Sequence, residues 1–249
     1  MGISAVILTH NTARTIGALL QSLRFADEIL VIDDSSTDDT VRLAEKSGAS
    51  VIRREVNEDF AAQRNAALSK AKGPWVLFVD ADEEVTQDLA HEIRKSVERI
   101  DVNGFFLKRQ DTMWGKTLRY GETENVRLMR LGRKGKGQWT RPVHEVWNIT
   151  GVVGTLEYPL IHRPHPNVTE FLADINRYST INAKYLASEK VPVFWWHMFA
   201  YPIGKFVQNY IIRQGFRDGM PGMIMAMMMS FHSFLTRAKL WQRHHPRPS

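Results

Sequence analysis

Residues 75–84 read WVLFVDADEE, in which five apolar residues lead directly into a group of carboxylates. An unbroken apolar run of this length is typical of a strand buried on both faces, as in a parallel sheet. In open sheets of this kind, ligands bind beyond the carboxyl ends of the strands. The stretch therefore predicts an α/β fold and places Asp80 and Asp82 where a ligand site is expected.

The rest of the first hundred residues repeats the order strand, polar loop, helix. Apolar runs predict strands, and helical patterns predict the helices between them. The strands are expected at residues 5–9, 28–33, 50–53 and 75–79, and the helices at residues 15–25, 38–47, 61–71 and 87–100. This alternation is typical of βαβ units that build a mostly parallel, Rossmann-like sheet flanked by helices.

Polar side chains also follow the first two strands. Thr9 and Asn11 come after the first, and Asp33 and Asp34 after the second. Because the carboxyl ends of parallel strands meet at one edge, acidic groups converge there, which is costly unless a cation compensates them. Carboxylate oxygens suit Mg²⁺ or Mn²⁺, so we expect a divalent metal at this edge. The alternative is that these side chains only cap helices.

A second region begins near residue 167. Asn167 followed three places later by Glu170 predicts a helix start, and the helix is expected to run to about Ser188. Between residues 104 and 166, glycine-spaced segments predict further strands and a mobile loop. We therefore divide the chain into a domain at residues 1–166 and a helical region at residues 167–249.

Residues 191–249 change sharply in composition towards aromatic residues and methionine. Residues 219–235 are apolar but short for a membrane span, and Pro221 and Gly222 interrupt them. Aromatic and basic residues together resemble an interfacial belt. We expect peripheral or monotopic attachment to an anionic membrane surface. The alternative is a buried helical hairpin or one that forms a homo-oligomer.

The amino-acid composition narrows the possible kinds of functional site and binding partner. The absence of cysteine excludes disulfides, thiolate zinc sites and cysteine nucleophiles, and it fits a reducing compartment such as the cytoplasm. The first residues lack the pattern of a secretory signal. The formal charge of +6 is compatible with nucleic acid, an anionic membrane or phosphorylated substrates. Five basic residues between Arg130 and Arg141 predict a flexible basic loop, either solvated or in contact with phosphates or headgroups.

Several motifs in the first half resemble the family 2 glycosyltransferases. They are VILTHN at residues 6–11, IDDSSTDDT at residues 32–40, AAQRNAAL at residues 61–68 and the DxD of Asp80 and Asp82. The second half is similar to one branch, the bacterial lipopolysaccharide-core β-1,4-glucosyltransferases, through VRLMR, RPVHEVW and YIIRQGFRDGMPG. The resemblance covers nearly the whole chain and implies a GT-A-type fold, with residues 1–166 as the nucleotide-sugar-binding and catalytic domain.

The resemblance also implies roles for single residues. Asp82 matches the direct metal ligand, and Asp80 lies near the ribose and the metal. The implied nucleotide-sugar contacts are Thr9, Asn11, Asp33, Asp34, Arg64 and Asp80. Glu83 and Glu84 are expected to serve structure, as charges at a helix N-terminus. The implied reaction moves a hexose from a UDP-sugar to a membrane glycolipid or lipopolysaccharide-core acceptor, at the cytoplasmic face of the inner membrane.

Inverting transfer requires a base that removes the proton of the acceptor hydroxyl. The second acidic motif of the family is missing, and RPVHEVW stands in its place, so Glu145 is our candidate. Alternatives are that Glu145 pairs with Arg141 or another basic neighbour, or that Glu122, Glu124 or Asp111 is the base. Arg141, His144 and His162 are candidate acceptor or phosphate contacts. His162 and His165 flank Pro164 without cysteine nearby, which favours a ligand-contacting loop over a zinc site.

Other classes fit less well. A nucleotidyltransferase also uses paired carboxylates and a metal, but ILTHNTARTIG is a poor match to a glycine-rich phosphate loop. A polyprenyl-linked or capsule saccharide remains an alternative acceptor, and a non-catalytic membrane protein is a third hypothesis. No GxGxxG follows the first strand, which argues against a dehydrogenase. No reading helix or aromatic sheet indicates nucleic-acid binding.

Overall fold

The computed structural model of the protein describes residues 2–56, 59–142 and 145–245. Its first four strands and helices alternate as predicted. They are β1 (Ile3–Thr9), α1 (Ile16–Ser22), β2 (Glu28–Asp33), α2 (Thr40–Lys46), β3 (Ser50–Arg53), α3 (Phe60–Lys70), β4 (Trp75–Asp80) and, after the short strand β5 (Glu83–Val85), α4 (Gln87–Ser96). The α/β class is therefore confirmed.

The later strands vary more in length, from two to ten residues. They are β6 (Gly104–Met113), β7 (Lys116–Thr117), β8 (Arg127–Arg133), β9 (Gly137–Thr140), β10 (Val146–Ile149), β11 (Val153–Thr155) and β12 (Leu160–His162). Ten of the described strands form one sheet in the order β3-β2-β1-β4-β8-β6-β12-β5, with β11 and β7 also paired to β6. β8 runs antiparallel to both β4 and β6. All strand pairs among β1 to β4 are parallel as predicted, whereas the rest of the sheet combines antiparallel pairs with the parallel pair of β11 and β6, so the whole sheet is mixed.

Alternation along the central strands fills two apolar layers. On β4, Trp75, Leu77 and Val79 pack into one layer, which includes α1 and α4. Val76 and Phe78 pack into the other, with α3 and the indoles of β9 and β10. Because successive side chains of a strand point to opposite faces, a continuous apolar run is what two covered faces require. All five side chains are fully buried.

Two compact units share the chain. The first comprises residues 1–109 and 125–162, and the second comprises residues 110–124 and 163–249. The division at residue 166 stays a prediction, and residues 110–124 of the first predicted domain group with residues 163–249. Residues 110–124 group with the second unit because they make polar contacts with its later residues. The Asp218 carboxylate accepts hydrogen bonds from the backbone N–H groups of Arg119 and Tyr120, at 3.0 and 2.9 Å.

The second unit contains α5 (Val168–Ser188), α6 (His197–Phe206) and α7 (Gly219–His244). The predicted cap of α5 is confirmed, since Asn167 Oδ1 accepts from the Glu170 N–H at 2.8 Å. Met225 and Met228 of α7 are buried against Phe171 and Ile175 of α5. Among the described residues, no helix is both long enough and apolar enough to cross a bilayer.

The basic segment from Arg130 to Arg141 is mostly strand. Arg130 is buried on β8, and the Arg133 guanidinium lies 4.6 Å from the centre of the Trp75 ring. Lys134 Nζ donates to the carbonyl oxygen of Ala71 at 2.6 Å. The prediction of a loop is therefore wrong for Arg130 and Arg133, which lie on β8, whereas Lys134 is exposed in the turn before β9.

Gly222 tests the packing of the second unit. A Cβ on Gly222 would lie 2.1 Å from the carbonyl oxygen of Gly215 and 2.8 Å from Asp218 Cβ. We expect Gly222→Ala to destabilise the protein by about 1–3 kcal/mol, lowering the Tm by roughly 2–12 °C for a chain of this size. Gly204→Ala in α6 is the control, because a Cβ there meets nothing within 4 Å. Equal melting of Gly222→Ala and the unmodified protein would contradict this packing.

Candidate active site

The carboxyl ends of three strands meet at one edge of the first unit. In the register of the sheet, Thr9 of β1 pairs with Asp33 of β2, and Leu8 pairs with Asp80 of β4. The predicted convergence of Thr9, Asp33 and Asp80 is therefore confirmed as a matter of position.

The loops after β1 and β2 are bound to each other. Asn11 adopts a left-handed φ of 51°, which asparagine tolerates, and its Oδ1 accepts from the Thr37 N–H at 2.8 Å. The Asn11 N–H donates to Ser36 Oγ at 2.8 Å. Asp33 is buried and accepts from the Ser36 N–H at 3.0 Å. Asp34 Oδ1 accepts from the Val56 N–H at 2.8 Å. Three of the predicted nucleotide-contacting residues thus also shape the loops of this edge.

Helix α3 carries Arg64 to the same edge. Asp59 caps the helix by accepting from the Ala62 N–H at 2.9 Å. Asn65 fixes the orientation of the helix against β9, because its side-chain amide exchanges two hydrogen bonds with the backbone of Trp139, at 2.8 and 2.9 Å. The Arg64 guanidinium lies 4.8 Å from the centre of the Trp139 ring. Within the AAQRNAAL motif, Asn65 therefore fixes the helix that positions the buried guanidinium of the preceding residue, Arg64.

Arg64 and Arg130 bind the carboxylates of this edge. Arg64 Nη2 donates to Asp80 Oδ1 at 2.9 Å, and Arg64 Nε donates to Glu145 Oε1 at 2.7 Å. Arg130 Nη2 donates to Asp80 Oδ2, and Arg130 Nη1 lies 3.3 Å from Asp80 Oδ1. Arg130 Nη2 is also 3.6 Å from Glu83 Oε1. Two guanidinium groups therefore face three carboxyl groups.

The excess of carboxyl groups over guanidinium groups sets the pKa values of Asp80 and Glu83 apart. Burial alone would raise the pKa of Asp80, but the charges of Arg130 and Arg64 outweigh it and hold the pKa well below its ordinary value. Glu83 behaves in the opposite way. Burial raises the pKa of Glu83 to about 7 against the attraction of Arg130, and the neighbouring Asp80 charge adds to the rise. Asp80 is thus held as an anion, whereas Glu83 binds a proton as the pH falls through about 7.

Glu83 makes a structural contact, but it does not lie at a helix N-terminus as predicted. It lies on β5 and not at the start of α4, and its side chain is buried. Glu83 Oε2 accepts from the Asp80 N–H at 2.8 Å. The carboxyl group therefore closes the turn that contains Asp80 and Asp82.

Asp82 is the more accessible carboxylate of the DxD pair. Its side chain is 45% exposed, and Oδ2 lies 3.1 Å from His162 Nε2. The pairing of β5 with β12 sets this contact, because His162 is the register partner of Glu83. Among the described ranges, no group of three histidine or acidic residues could by itself hold a metal ion. One carboxylate and one imidazole nitrogen are nevertheless suitable donors for a divalent cation that also binds phosphate oxygens.

The remaining sequence-predicted residues are placed as follows. Arg141 is exposed, with a φ of 69°. His144 lies outside the described residues. Glu122, an alternative base, is bound within the second unit by Lys205 at 2.8 Å and Asn209 at 2.5 Å. His165 also lies in the second unit, with Nδ1 3.1 Å from Asp174 Oδ2.

Arg130 is the residue of this edge that sequence reasoning missed. It was assigned to a basic loop, yet it lies on β8 and binds the Asp80 carboxylate. Its position in the apolar run VRLMRLG was the available signal, since an arginine within a buried strand requires a paired acid.

The sequence comparisons agree with this architecture. The profile of the family described as Glycosyl transferase family 2 matches residues 4–149. A lipopolysaccharide core biosynthesis glycosyltransferase, LpsC of Rhizobium meliloti (strain 1021), is 32% identical over 255 residues, covering 97% of this chain and 93% of the relative.

Solved structures show the same fold. The structure of S. aureus TarS 1–349 in complex with UDP has a TM-score of 0.52 and 17% identity, covering 99% of this chain and 92% of that one. Glucosyl-3-phosphoglycerate synthase from Mycobacterium tuberculosis, in complex with Mn²⁺, UDP and glucosyl-3-phosphoglycerate, has a TM-score of 0.50 and 16% identity, covering 77% and 81%. The fold is therefore GT-A-like, and the chain is a glycosyltransferase that belongs to glycosyl transferase family 2.

Proposed function

We propose that the protein transfers a hexose from a UDP-sugar, with inversion at the anomeric carbon, to a membrane glycolipid of the lipopolysaccharide-core type. The observation that carries the donor site is the pair formed by an arginine-bound Asp80 and a half-exposed Asp82 beyond β4. The R. meliloti relative supports the acceptor class, and the UDP complex of TarS supports the donor class.

A divalent cation, Mg²⁺ or Mn²⁺, fits the outer part of this edge. Asp82 and His162 would hold it, since an aspartate oxygen and an imidazole nitrogen already lie 3.1 Å apart. When bound, the cation would neutralise charge on the departing diphosphate. Asp80 was predicted as a second ligand. Both of its oxygens accept hydrogen bonds from guanidinium groups, which favours a role in holding Arg64 and Arg130 in place.

Arg64 and Arg130 supply N–H donors beside the proposed diphosphate position, while Asp80, Glu83 and Glu145 balance their charges. Their guanidinium groups are oriented by Asp80 before any ligand binds, which avoids reorganisation during the reaction. Thr9, Asn11, Asp33 and Asp34 form the adjacent part of the edge, where we place the nucleobase and ribose.

Glu145 is the proposed base. Arg64 Nε binds Oε1 at 2.7 Å, which orients the carboxylate and leaves Oε2 as the atom to accept the acceptor proton. The side chain is 16% exposed, so it borders solvent where an acceptor hydroxyl would approach. Arg141 and His144, from the same sequence motif, are proposed to contact the acceptor.

Glu145→Gln tests this function directly. The amide keeps the shape of the side chain but cannot take a proton, so we expect turnover of UDP-hexose with extracted membrane glycolipids to fall by about 10²- to 10⁴-fold. UDP binding should persist, and the Tm should fall, since Arg64 keeps Asp80 but loses the charge of Glu145. The control is Glu45→Gln, an exposed glutamate of α2. Near-normal turnover of folded Glu145→Gln would reject Glu145 as the base.

Glu83→Gln tests whether protonation of Glu83 contributes to the stability of the fold. The folded protein holds the Glu83 proton with a pKa of about 7, against an ordinary value of 4.5. The stability that this proton contributes is complete below pH 4.5 and is lost as the pH rises from 4.5 to 7. The fall in Tm between pH 5 and pH 8 should therefore be smaller in Glu83→Gln, with turnover retained. An equal or larger fall would show that Glu83 does not titrate in this range.

A further inference from the structure

The C-terminal part of the second unit is strongly asymmetric in charge. Residues 191–249 contain seven lysine and arginine residues and a single acidic residue, Asp218. Asp218 is buried and binds backbone N–H groups, so it presents no acidic surface. Every charged side chain that residues 191–249 can offer to a partner is therefore positive.

Helix α6 carries an exposed apolar stripe. Trp195 precedes the helix, and Phe199, Ile203 and Val207 follow at intervals of four residues, so the four side chains lie along one side of the helix. Trp195 is 72% exposed, and Phe199 and Ile203 are each 61% exposed. The π-helical turn at Val207–Ile212 that follows α6 extends the exposed apolar surface with Ile211 and Ile212. We call Trp195, Phe199, Ile203 and Val207 the α6 stripe.

The α6 stripe is not needed for the core of its own unit. That core is formed by other side chains, including Met113, Phe171, Ile175 and Met225. Contiguous exposed apolar surface of this kind marks a site of interaction with a protein or a membrane.

Aromatic and basic residues accompany the stripe. Trp196, beside Trp195, is 48% exposed. Tyr201 lies on the other side of α6, where the Arg237 guanidinium is 4.1 Å from the centre of its ring. Arg213 and Arg217 follow α6 by 7 and 11 residues. Amphipathic aromatic rings and basic side chains beside an apolar helix face are the combination that binds the interface of a bilayer with anionic headgroups.

We propose that the α6 stripe inserts into the headgroup region of an anionic phospholipid bilayer, with Arg213 and Arg217 contacting lipid phosphates. This centres the membrane contact on α6. Met225 and Met228 of α7 are buried, although Met220 and Met227 of the same helix are exposed. The cytoplasmic leaflet of the inner membrane would supply such a surface. A second copy of the chain is a poorer occupant, because a two-fold contact would bring the same basic segment of each copy together.

The test measures binding of the full-length protein to vesicles by sedimentation. The vesicles contain phosphatidylcholine alone or phosphatidylcholine with about 30 mol% phosphatidylglycerol, which gives them an anionic surface. We expect binding to the anionic vesicles that weakens with added NaCl. The variant Trp195→Gln/Phe199→Gln/Ile203→Gln should bind about tenfold more weakly or worse, with an unchanged circular dichroism spectrum.

The matched control replaces three exposed apolar residues of the first unit, as Ile100→Gln/Val152→Gln/Tyr158→Gln. It should bind like the unmodified protein. Undiminished vesicle binding by the α6 variant would overturn the proposal, as would no binding of the unmodified protein to anionic vesicles. A dimer in sedimentation velocity that the α6 variant abolishes, without vesicle binding, would assign the stripe to a second copy instead. Neither readout depends on sugar transfer.

Discussion

Arg64 and Arg130 are buried cations, and their need for anionic partners determines how the active edge is built. A buried guanidinium without a carboxylate would be strongly destabilising, so α3 and β8 must bring their arginines to Asp80 at the end of β4. The same two groups reach Glu83 and Glu145. One set of ion pairs therefore joins elements that are far apart in sequence, and the β4 turn that ends in Asp82 depends on it.

This arrangement separates the two aspartates of the DxD motif. Asp80 has its carboxylate bound by guanidinium groups, whereas Asp82 is half-exposed beside His162. Burial and charge thus give two identical side chains different chemistry. In our proposal the inner aspartate orients cations that stabilise the diphosphate, and the outer one binds the metal. The ion pair of Arg64 with Glu145 extends the same network to the proposed base.

The sequence predicted the parallel half of the sheet because each strand there is a continuous apolar run followed by polar residues. It predicted the positions of Thr9, Asp33 and Asp80 because strand ends share an edge. It raised a basic partner for Glu145 as an alternative but could not identify Arg64, which is 81 residues away and meets Glu145 only through tertiary packing. The assignment of residues 110–124 to the second unit depends on Asp218, about a hundred residues away. Arg130 was missed because clustered basic residues suggested a loop, whereas β8 buries four consecutive residues that include Arg130.

We propose above all that the edge beyond β4 binds a nucleoside diphosphate together with a divalent cation. Calorimetric titration of UDP into the protein, with Mn²⁺ and with EDTA, measures this directly for the unmodified chain, Asp82→Asn and the surface control Asp88→Asn. We expect one UDP per chain, tighter binding with Mn²⁺, and loss of the Mn²⁺ effect in Asp82→Asn alone. Absence of UDP binding, or an Mn²⁺ effect that persists in Asp82→Asn, would contradict this proposal.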